Sequence, residues 1–225
     1  MPTLISRPNP GTGTAPIDGQ LRQFSGATTW SGVRDGAGTL ANNTVATTAV
    51  TIFYFNTGWL YFDRSGMGVD SSSIPASDTI TNIDVDLYIV ANNVDSFGVS
   101  VNITPFSPAN EGNFVGTDYD AFTDTKLTTD VAISSLTTGA YNTFSLNAAG
   151  IAHTNKSGNT MYYVRFAADI DDAEPAASGT QSSTLTFSAA DQTGTTQDPT
   201  VTFTYSAPSG NFWDKQISSL SRYYG

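Results

Sequence analysis

One histidine and no cysteine limit the chemistry that side chains of this chain can carry out. His153 lies in a short polar stretch, "AAGIAHTNKSG", close to Lys156. A Ser-His-Asp triad would have to use this one histidine, and a Cys-His pair is excluded. The chain has no Gly-x-Ser-x-Gly motif. We therefore predict that His153 is a surface or helix-capping residue and not a catalytic base.

Acidic residues cluster in the turn "ADIDDAEP", which contains Asp169, Asp171, Asp172 and Glu174. Calcium takes several oxygen ligands from loops of this kind, but the glycine and the spaced glutamate of the EF-hand pattern are missing. We expect a solvated acidic loop, with calcium binding by these four carboxylates as the alternative. The segment 117–124, "TDYDAFTD", is a second acidic candidate. Paired carboxylates for glycoside hydrolysis would also be available, but the sequence identifies no pair in an aromatic setting.

Aromatic residues are the second group with binding chemistry. Trp30, Trp59 and Trp213, together with several tyrosines, could form a platform that stacks on sugar rings. Trp59 stands beside Leu60 and Phe62, which predicts that it belongs to the core. Trp213 follows the last predicted strand and is the tryptophan expected to point elsewhere.

The charge of the chain argues against several classes of partner. Twenty acidic and nine basic residues give a net charge of −11. Such a surface repels phosphate backbones, so nucleic acid is not an expected partner. The first residues do not form a basic and then apolar signal, and no stretch approaches the ~18 apolar residues of a membrane span. We expect synthesis in a host cytoplasm, no signal peptide and no membrane contact.

The apolar pattern predicts short β-strands through most of the chain. The clearest alternation is in residues 79–91, where Ile83, Val85, Leu87 and Ile89 share one face. The aromatic-rich segments 47–56 and 58–65 are predicted to be buried strands, and further strands are expected in these segments: 97–106, 141–147, 161–170, 184–188 and 201–205. One helical turn is predicted in residues 148–158. Eight to ten short strands without long helices predict an all-β, jelly-roll-like antiparallel β-sandwich.

Three regions are predicted along the chain. Residues 1–25 contain four prolines and are expected to form an extended arm, with an edge strand around Thr3 to Arg7. Residues 26–207 are expected to form the sandwich. Residues 208–225 are expected to form a docking tail.

The tail has an apolar stripe. Trp213, Ile217, Leu220 and Tyr224 recur at spacings of four, three and four, which places them on one face of a short helix that Asn211 can cap. A helix of about 13 residues is marginal alone, so the stripe needs a surface to cover it. We predict that it docks on a neighbouring subunit, and folding back on its own sandwich is the alternative.

Three stretches carry a resemblance to a known family. The segment "WLYFDRSGMGVDSSSIPASDTITNIDVDLYIV", the strand "MYYVRFAADID" and the closing hairpin "STLTFSAADQTGTTQDPTVTFTY" resemble disaggregatase-related (DNRLRE-like) β-sandwich domains over about residues 50–205. The opening "LISRPNPGTGT" is similar to the starts of hypothetical proteins encoded in tailed-phage structural gene clusters, which carry similar sandwiches. A long insertion at 105–140 departs from the family pattern.

The resemblance implies surface, adhesive or virion roles and brings no catalytic residues with it. We therefore expect a non-enzymatic virion structural protein, either a capsid decoration, head-fibre or tail-associated protein. Its partners would be the major capsid or tail protein and further copies of itself, and no cofactor is expected apart from the calcium alternative. The alternative hypothesis is a carbohydrate-binding or adhesive module that binds a surface polysaccharide. A glycosidase is the third hypothesis.

Overall fold

The computed structural model describes residues 1–11, 13–90 and 94–208, and these residues form thirteen strands and five short helices. The strands are β1 (Thr3–Ser6), β2 (Asp18–Thr28), β3 (Leu40–Asn42), β4 (Thr47–Phe55), β5 (Gly58–Asp70), β6 (Thr79–Ile89), β7 (Val94–Asp95), β8 (Ser100–Pro105), β9 (Val131–Ala132), β10 (Ala140–Ser145), β11 (Asn159–Phe166), β12 (Gln181–Ser188) and β13 (Thr200–Ser206). The α-helices are α1 (Trp30–Arg34), α2 (Ala148–His153) and α3 (Ala167–Ile170), and two 3-10 helices span Gly116–Asp120 and Ile133–Ser135.

The strands form an antiparallel sandwich, as predicted. Strands β1, β13, β6 and β10 are paired in one layer. Strands β12, β4, β5, β2 and β3 are paired in the other, and the second half of β5 continues through β11 and β8 to β9. Strand β6 meets β12 where Ile89 pairs with Phe187, and β7 extends that contact. The strand count exceeds the predicted eight to ten because β3, β7 and β9 have only two or three residues.

The predicted alternation places the core correctly. Ile83, Val85, Leu87 and Ile89 on β6 are all buried, and they pack in one cluster with apolar side chains of the other layer. Trp59 is buried as predicted. Burial of this apolar surface is the main stabilising contribution to such a fold.

The prediction of buried strands is confirmed for β5, where all of residues 58–65 except Leu60 and Tyr61 are buried, and only in part for β4, which has a solvent-facing side. Val50, Ile52 and Phe62 point inward, whereas Phe53 and Phe55 lie on the solvent side. The alternation was hidden because aromatic residues occupy both faces.

The predicted N-terminal arm is partly strand. Strand β1 lies at the edge of its layer, where an edge strand was expected. Residue 25, however, falls inside β2, which pairs with β5 and buries Leu21. The surrounding Gln and Arg residues concealed this strand in the sequence. The predicted end of the sandwich at 207 lies one residue beyond the end of β13.

The helices were only partly predicted. Helix α2 is confirmed, and the Asn147 side chain caps it by accepting hydrogen bonds from the backbone N–H groups of Ala149 and Gly150. Helices α1 and α3 were missed because five and four residues are too few to show a helical period. The predicted C-terminal helix lies outside the described residues. Within the described ranges, no helix is long and apolar enough to cross a membrane.

The insertion at 105–140 is part of the body of the domain. It contains β9 and both 3-10 helices, and it contributes Phe114, Tyr119, Leu127 and Ile133 to the core. Its Tyr119 packs under one of two buried arginines, which are the strongest charged feature of the fold.

Candidate functional site

Two fully buried arginines hold the first residue of the predicted acidic turn. Arg64 of β5 donates from Nη2 to Oδ1 of Asp169 (2.7 Å) and from Nε to Oδ2 (2.8 Å). Arg165 of β11 donates from Nε to Oδ2 of the same carboxylate (2.9 Å). All three side chains are buried. A bidentate guanidinium–carboxylate pair of this kind is the strongest arrangement of such groups.

The charges of this cluster compensate one another. Burial alone would raise the pKa of the Asp169 carboxyl, but Arg165 and Arg64 outweigh it and hold that pKa well below its usual range. Burial opposes the charge on Arg64 as well, and Asp169 reverses the effect and raises the pKa of Arg64. The cluster is therefore ionised at neutral pH and closed to solvent.

The second acidic segment supplies further counter-charge. Asp124 accepts from Arg165 Nη1 at 2.8 Å, and Asp120 accepts from Arg64 Nη1 at 3.3 Å. The Phe122 ring lies against both guanidinium groups, 3.6 Å from Arg165 Cζ and 4.4 Å from Arg64 Cζ. The "TDYDAFTD" segment thus closes over the arginines.

The other three carboxylates of the predicted calcium turn bind other partners. Asp171 accepts from Lys126 Nζ at 2.6 Å. Asp172 accepts from Trp30 Nε1 at 3.0 Å, and Glu174 accepts from Trp59 Nε1 at 2.7 Å. In the described ranges, no three His, Asp or Glu side chains are grouped so as to hold a metal ion. Calcium binding by these four carboxylates was the alternative to a solvated loop, and it remains to be tested.

The expectation of a solvated loop was wrong for Asp169, which lies in the interior. A signal for it was present in the sequence. Arg64 and Arg165 each stand in a strand rich in aromatic and aliphatic residues, and a buried arginine requires a carboxylate partner. Sequence alone did not indicate which of the many acids this would be.

His153 is the last residue of α2. Its Nε2 lies 2.7 Å from the carbonyl oxygen of Met161, which can only accept, so Nε2 carries the proton and donates. The ring packs against the buried Tyr162. This position ties the end of α2 to β11.

An exposed aromatic strip crosses the outer face of the layer formed by β3, β2, β5 and β4. It consists of Leu40, Phe24, Tyr61, Phe53 and Phe55. Phe24 stands opposite Tyr61 in the β2–β5 register, and Tyr61 stands opposite Phe53 in the β5–β4 register. Leu40, Phe24 and Phe55 are 58%, 49% and 44% exposed. Side chains of this kind side by side on a surface mark a contact site more often than isolated ones do.

Three rings of the strip, those of Tyr61, Phe53 and Phe55, are stacked side by side. The Phe53 and Tyr61 centroids are 5.1 Å apart with planes 12° from parallel, so one ring stacks on the other. The Arg22 guanidinium lies over the Tyr61 ring at 4.3 Å, and Asp63 holds it there. Phe55 continues the stack at 6.4 Å from Phe53. Phe53 and the Arg22 guanidinium thus cover the two faces of the Tyr61 ring, which leaves its edge to solvent.

The outer face of the other layer is different in character. A cleft of about 350 Å³ opens there, and its lining residues are Ile5, Arg7, Asp86, Tyr141, Thr200 and Thr202. Tyr141 is exposed, and its hydroxyl donates to the carbonyl oxygen of Asp198 at 2.9 Å, which fixes the ring. The cleft thus combines one anchored aromatic ring with hydroxyl, carboxylate and guanidinium groups.

Asp18 at the start of β2 is a buried carboxyl with one oxygen unsatisfied. One oxygen accepts from the backbone N–H of Ala190 at 2.9 Å, and the other has no hydrogen-bond partner. Burial raises the pKa of Asp18 to about 7, and the nearby carboxylates Asp191 and Asp198 add to the effect. This group was not singled out from the sequence, where it looks like any other acidic residue.

No protein-family model matches this chain, and a search of curated proteins finds no match. The likeness to disaggregatase-related domains therefore remains a resemblance drawn from the sequence motifs.

Proposed function

We propose that this chain is a non-enzymatic structural protein of a tailed-phage virion, such as a capsid decoration, head-fibre or tail-associated protein. In this role the sandwich is displayed outward and the chain binds the major capsid or tail protein and further copies of itself. The protein is then located on the virion.

The observation that carries a binding role is the exposed aromatic strip. Its apolar side chains are in contact with water in the isolated chain, and a protein partner would remove them from water at about 25 cal/mol for each Å² covered. The most strongly charged cluster cannot serve as a reaction site in this state, because Arg64 and Arg165 are both 0% exposed.

The virion setting is supported by the sequence. The opening segment "LISRPNPGTGT" and the closing hairpin carry the likeness to phage-encoded and surface sandwiches. A net charge of −11 favours solubility at high copy number and keeps the protein away from packaged nucleic acid.

Co-sedimentation tests the proposal. Purified full-length protein is mixed with particles from the source culture, or with the host surface polysaccharide, and each mixture is centrifuged. We expect saturable pelleting with particles. The proposal fails if the protein stays in the supernatant with particles and pellets with polysaccharide.

A carbohydrate-binding module is the second candidate, and the cleft at Tyr141 favours it. Sugars bind to protein sites through one aromatic face and several polar side chains, and this cleft offers both. Calorimetric titration of host polysaccharide would detect the binding. Loss of binding in Tyr141→Ala, with retention in the matched aromatic variant Tyr205→Ala, would support this second function.

A further inference from the structure

We propose that the exposed aromatic strip of one copy binds the segment 209–225 of a neighbouring copy. The inference rests on the proposed function, in which the terminal segments dock on neighbours, and it names the surface that receives one of them.

The geometry of the strip fits an apolar peptide. Three of its five side chains are about half exposed, and the faces of its central ring, Tyr61, are covered by Phe53 and by the Arg22 guanidinium. A sugar ring needs a free aromatic face on which to stack. Aliphatic and aromatic side chains can pack between upright rings as they do in a protein core.

The segment 209–225 has matching chemistry. It contains Trp213, Ile217, Leu220 and Tyr224 at helical spacing, so four large apolar side chains are available for one surface. Its charge is complementary as well. Of the chain's net charge of −11, this segment contributes +1, from Lys215 and Arg222 against Asp214, and the rest of the chain contributes −12.

The topology places the start of this segment far from the strip of the same molecule. Ser206 at the end of β13 pairs with Thr79 at the start of β6. From Thr79, β6 runs to Ile89, which pairs with Phe187 of β12. Phe187 in turn pairs with Thr48 of β4. The ten residue steps from Thr79 to Ile89 span about 33 Å, because a strand rises about 3.3 Å per residue.

Strand β4 then continues in the same direction as β6, away from Ser206. Five further residues, about 16 Å, lead from Thr48 to Phe53 in the strip. Strand β5 gives a similar separation, because Lys156 donates to the carbonyl oxygen of Asp78 next to Thr79, Asn159 pairs with Asp70, and the nine residues from Asp70 to Tyr61 in the strip span about 30 Å. Trp213 lies seven residues beyond Ser206 and reaches at most about 25 Å when the chain is fully extended. Trp213 therefore falls short of its own strip, which only the later residues of the segment could reach, whereas a neighbouring copy can present its strip to all four apolar side chains.

A contact between a tail and a distant strip joins two different surfaces. Such a heterologous contact leaves a free strip at one end and a free tail at the other. Copies joined this way form closed rings or open chains, which are the arrangements that repeat around a particle.

Sedimentation velocity on three full-length variants tests this contact. The strip variant is Phe24→Ser/Phe55→Ser, and the tail variant is Trp213→Ser/Leu220→Ser. The matched control is Ile5→Ser/Val94→Ser, which removes two equally exposed apolar residues elsewhere. Circular dichroism melts verify that every variant is folded.

We expect the unsubstituted chain and the control to form oligomers that grow with concentration. The strip variant and the tail variant should each sediment as monomers. Their equimolar mixture should form a two-chain complex and nothing larger, because the mixture retains one intact strip and one intact tail per pair.

Other occupants of the strip give other results, and each of them overturns the proposal. Oligomers that persist in the tail variant and vanish in the strip variant mean that two strips pair with each other. A monomeric unsubstituted chain whose Trp213 fluorescence changes in the strip variant means that the tail folds back on its own molecule. Failure of the mixed variants to form a complex also contradicts the contact.

The outcome is independent of the virion proposal. A two-chain complex in the mixture, together with no pelleting on particles, would leave the docking contact intact and remove the virion role. Pelleting on particles, together with no two-chain complex in the mixture, would do the reverse.

Discussion

At the scale of single residues, the fold depends on a charge cluster in its interior. Removing two arginines and a carboxylate from water is costly, and their mutual attraction offsets that cost only while every partner is present. Arg64 and Arg165 share Asp169, with Asp120 and Asp124 at the border. Loss of the shared carboxylate would leave two cations buried without their main partner.

We predict that Asp169→Asn lowers the free energy of unfolding by about 3–5 kcal/mol, the cost of breaking a buried ion pair. Asp171→Asn is the matched control in the same turn, and it removes only an exposed pair with Lys126, worth about 0–1 kcal/mol. Urea unfolding of both variants measures the difference. Equal effects would mean that the buried pair does not stabilise the fold.

Asp18 makes stability depend on pH in a defined window. Its pKa in the folded state is raised to about 7, above the usual value of 3.8, so the folded protein retains a proton that the unfolded chain has released. Stability from this group is therefore present at low pH and lost as the pH rises from about 4 through 7.

We predict a fall in melting temperature between pH 5 and pH 8 that is reduced in Asp18→Asn, which cannot ionise. Asp95→Asn is a control at a carboxylate that accepts a hydrogen bond from Ser183. Melting curves across this pH range measure the effect. A pH slope unchanged in Asp18→Asn would exclude Asp18 as its source.

At the scale of elements, closely packed loops surround the arginine cluster. Gly38, between α1 and β3, has a φ of +82°, and a Cβ there would overlap the carbonyl oxygen of Gly116. This turn lets the 3-10 helix Gly116–Asp120 approach, and that helix brings Tyr119 under Arg64.

Gly38→Ala should therefore destabilise the protein more than Gly98→Ala. Gly98 also has a positive φ, +65°, but its surroundings are open, so alanine there costs only the roughly 1–2 kcal/mol of left-handed backbone. Gly38→Ala adds a collision with backbone that cannot rotate away. Chemical denaturation of the two variants compares them, and similar losses would refute the close-packing argument.

Calcium should leave the melting temperature nearly unchanged, because the carboxylates of the α3 turn already have separate partners. A ligand that binds only the folded state must raise stability. Differential scanning fluorimetry with millimolar calcium makes the measurement. An upward shift of several degrees that is lost in Asp171→Ala would establish the alternative calcium site.

The sequence predicted elements better than pairings. Alternation in β6, and the two alanines before the apolar Ile151 in α2, are local signals, and both led to correct elements. The Arg64–Asp169 contact joins residues 105 positions apart, and no local pattern encodes it. The strip was missed for a related reason. Phe53 and Tyr61 become one surface only through the register of β4 against β5.

At the scale of the whole molecule, the two outer faces of the sandwich have different chemistry. One carries the exposed aromatic strip and the other carries the polar cleft at Tyr141. The core between them joins both layers in one cluster, so the two faces are held in fixed relation by packing. A domain of this kind can contact a neighbour through one face and leave the other free.

The most direct test of the virion proposal is mass spectrometry of particles from the source culture, purified through a density gradient. We predict peptides of this chain in the particle fractions, at a constant ratio to the major capsid protein across the peak. Peptides confined to the top of the gradient, or absent from the particle fractions, would contradict the proposed function.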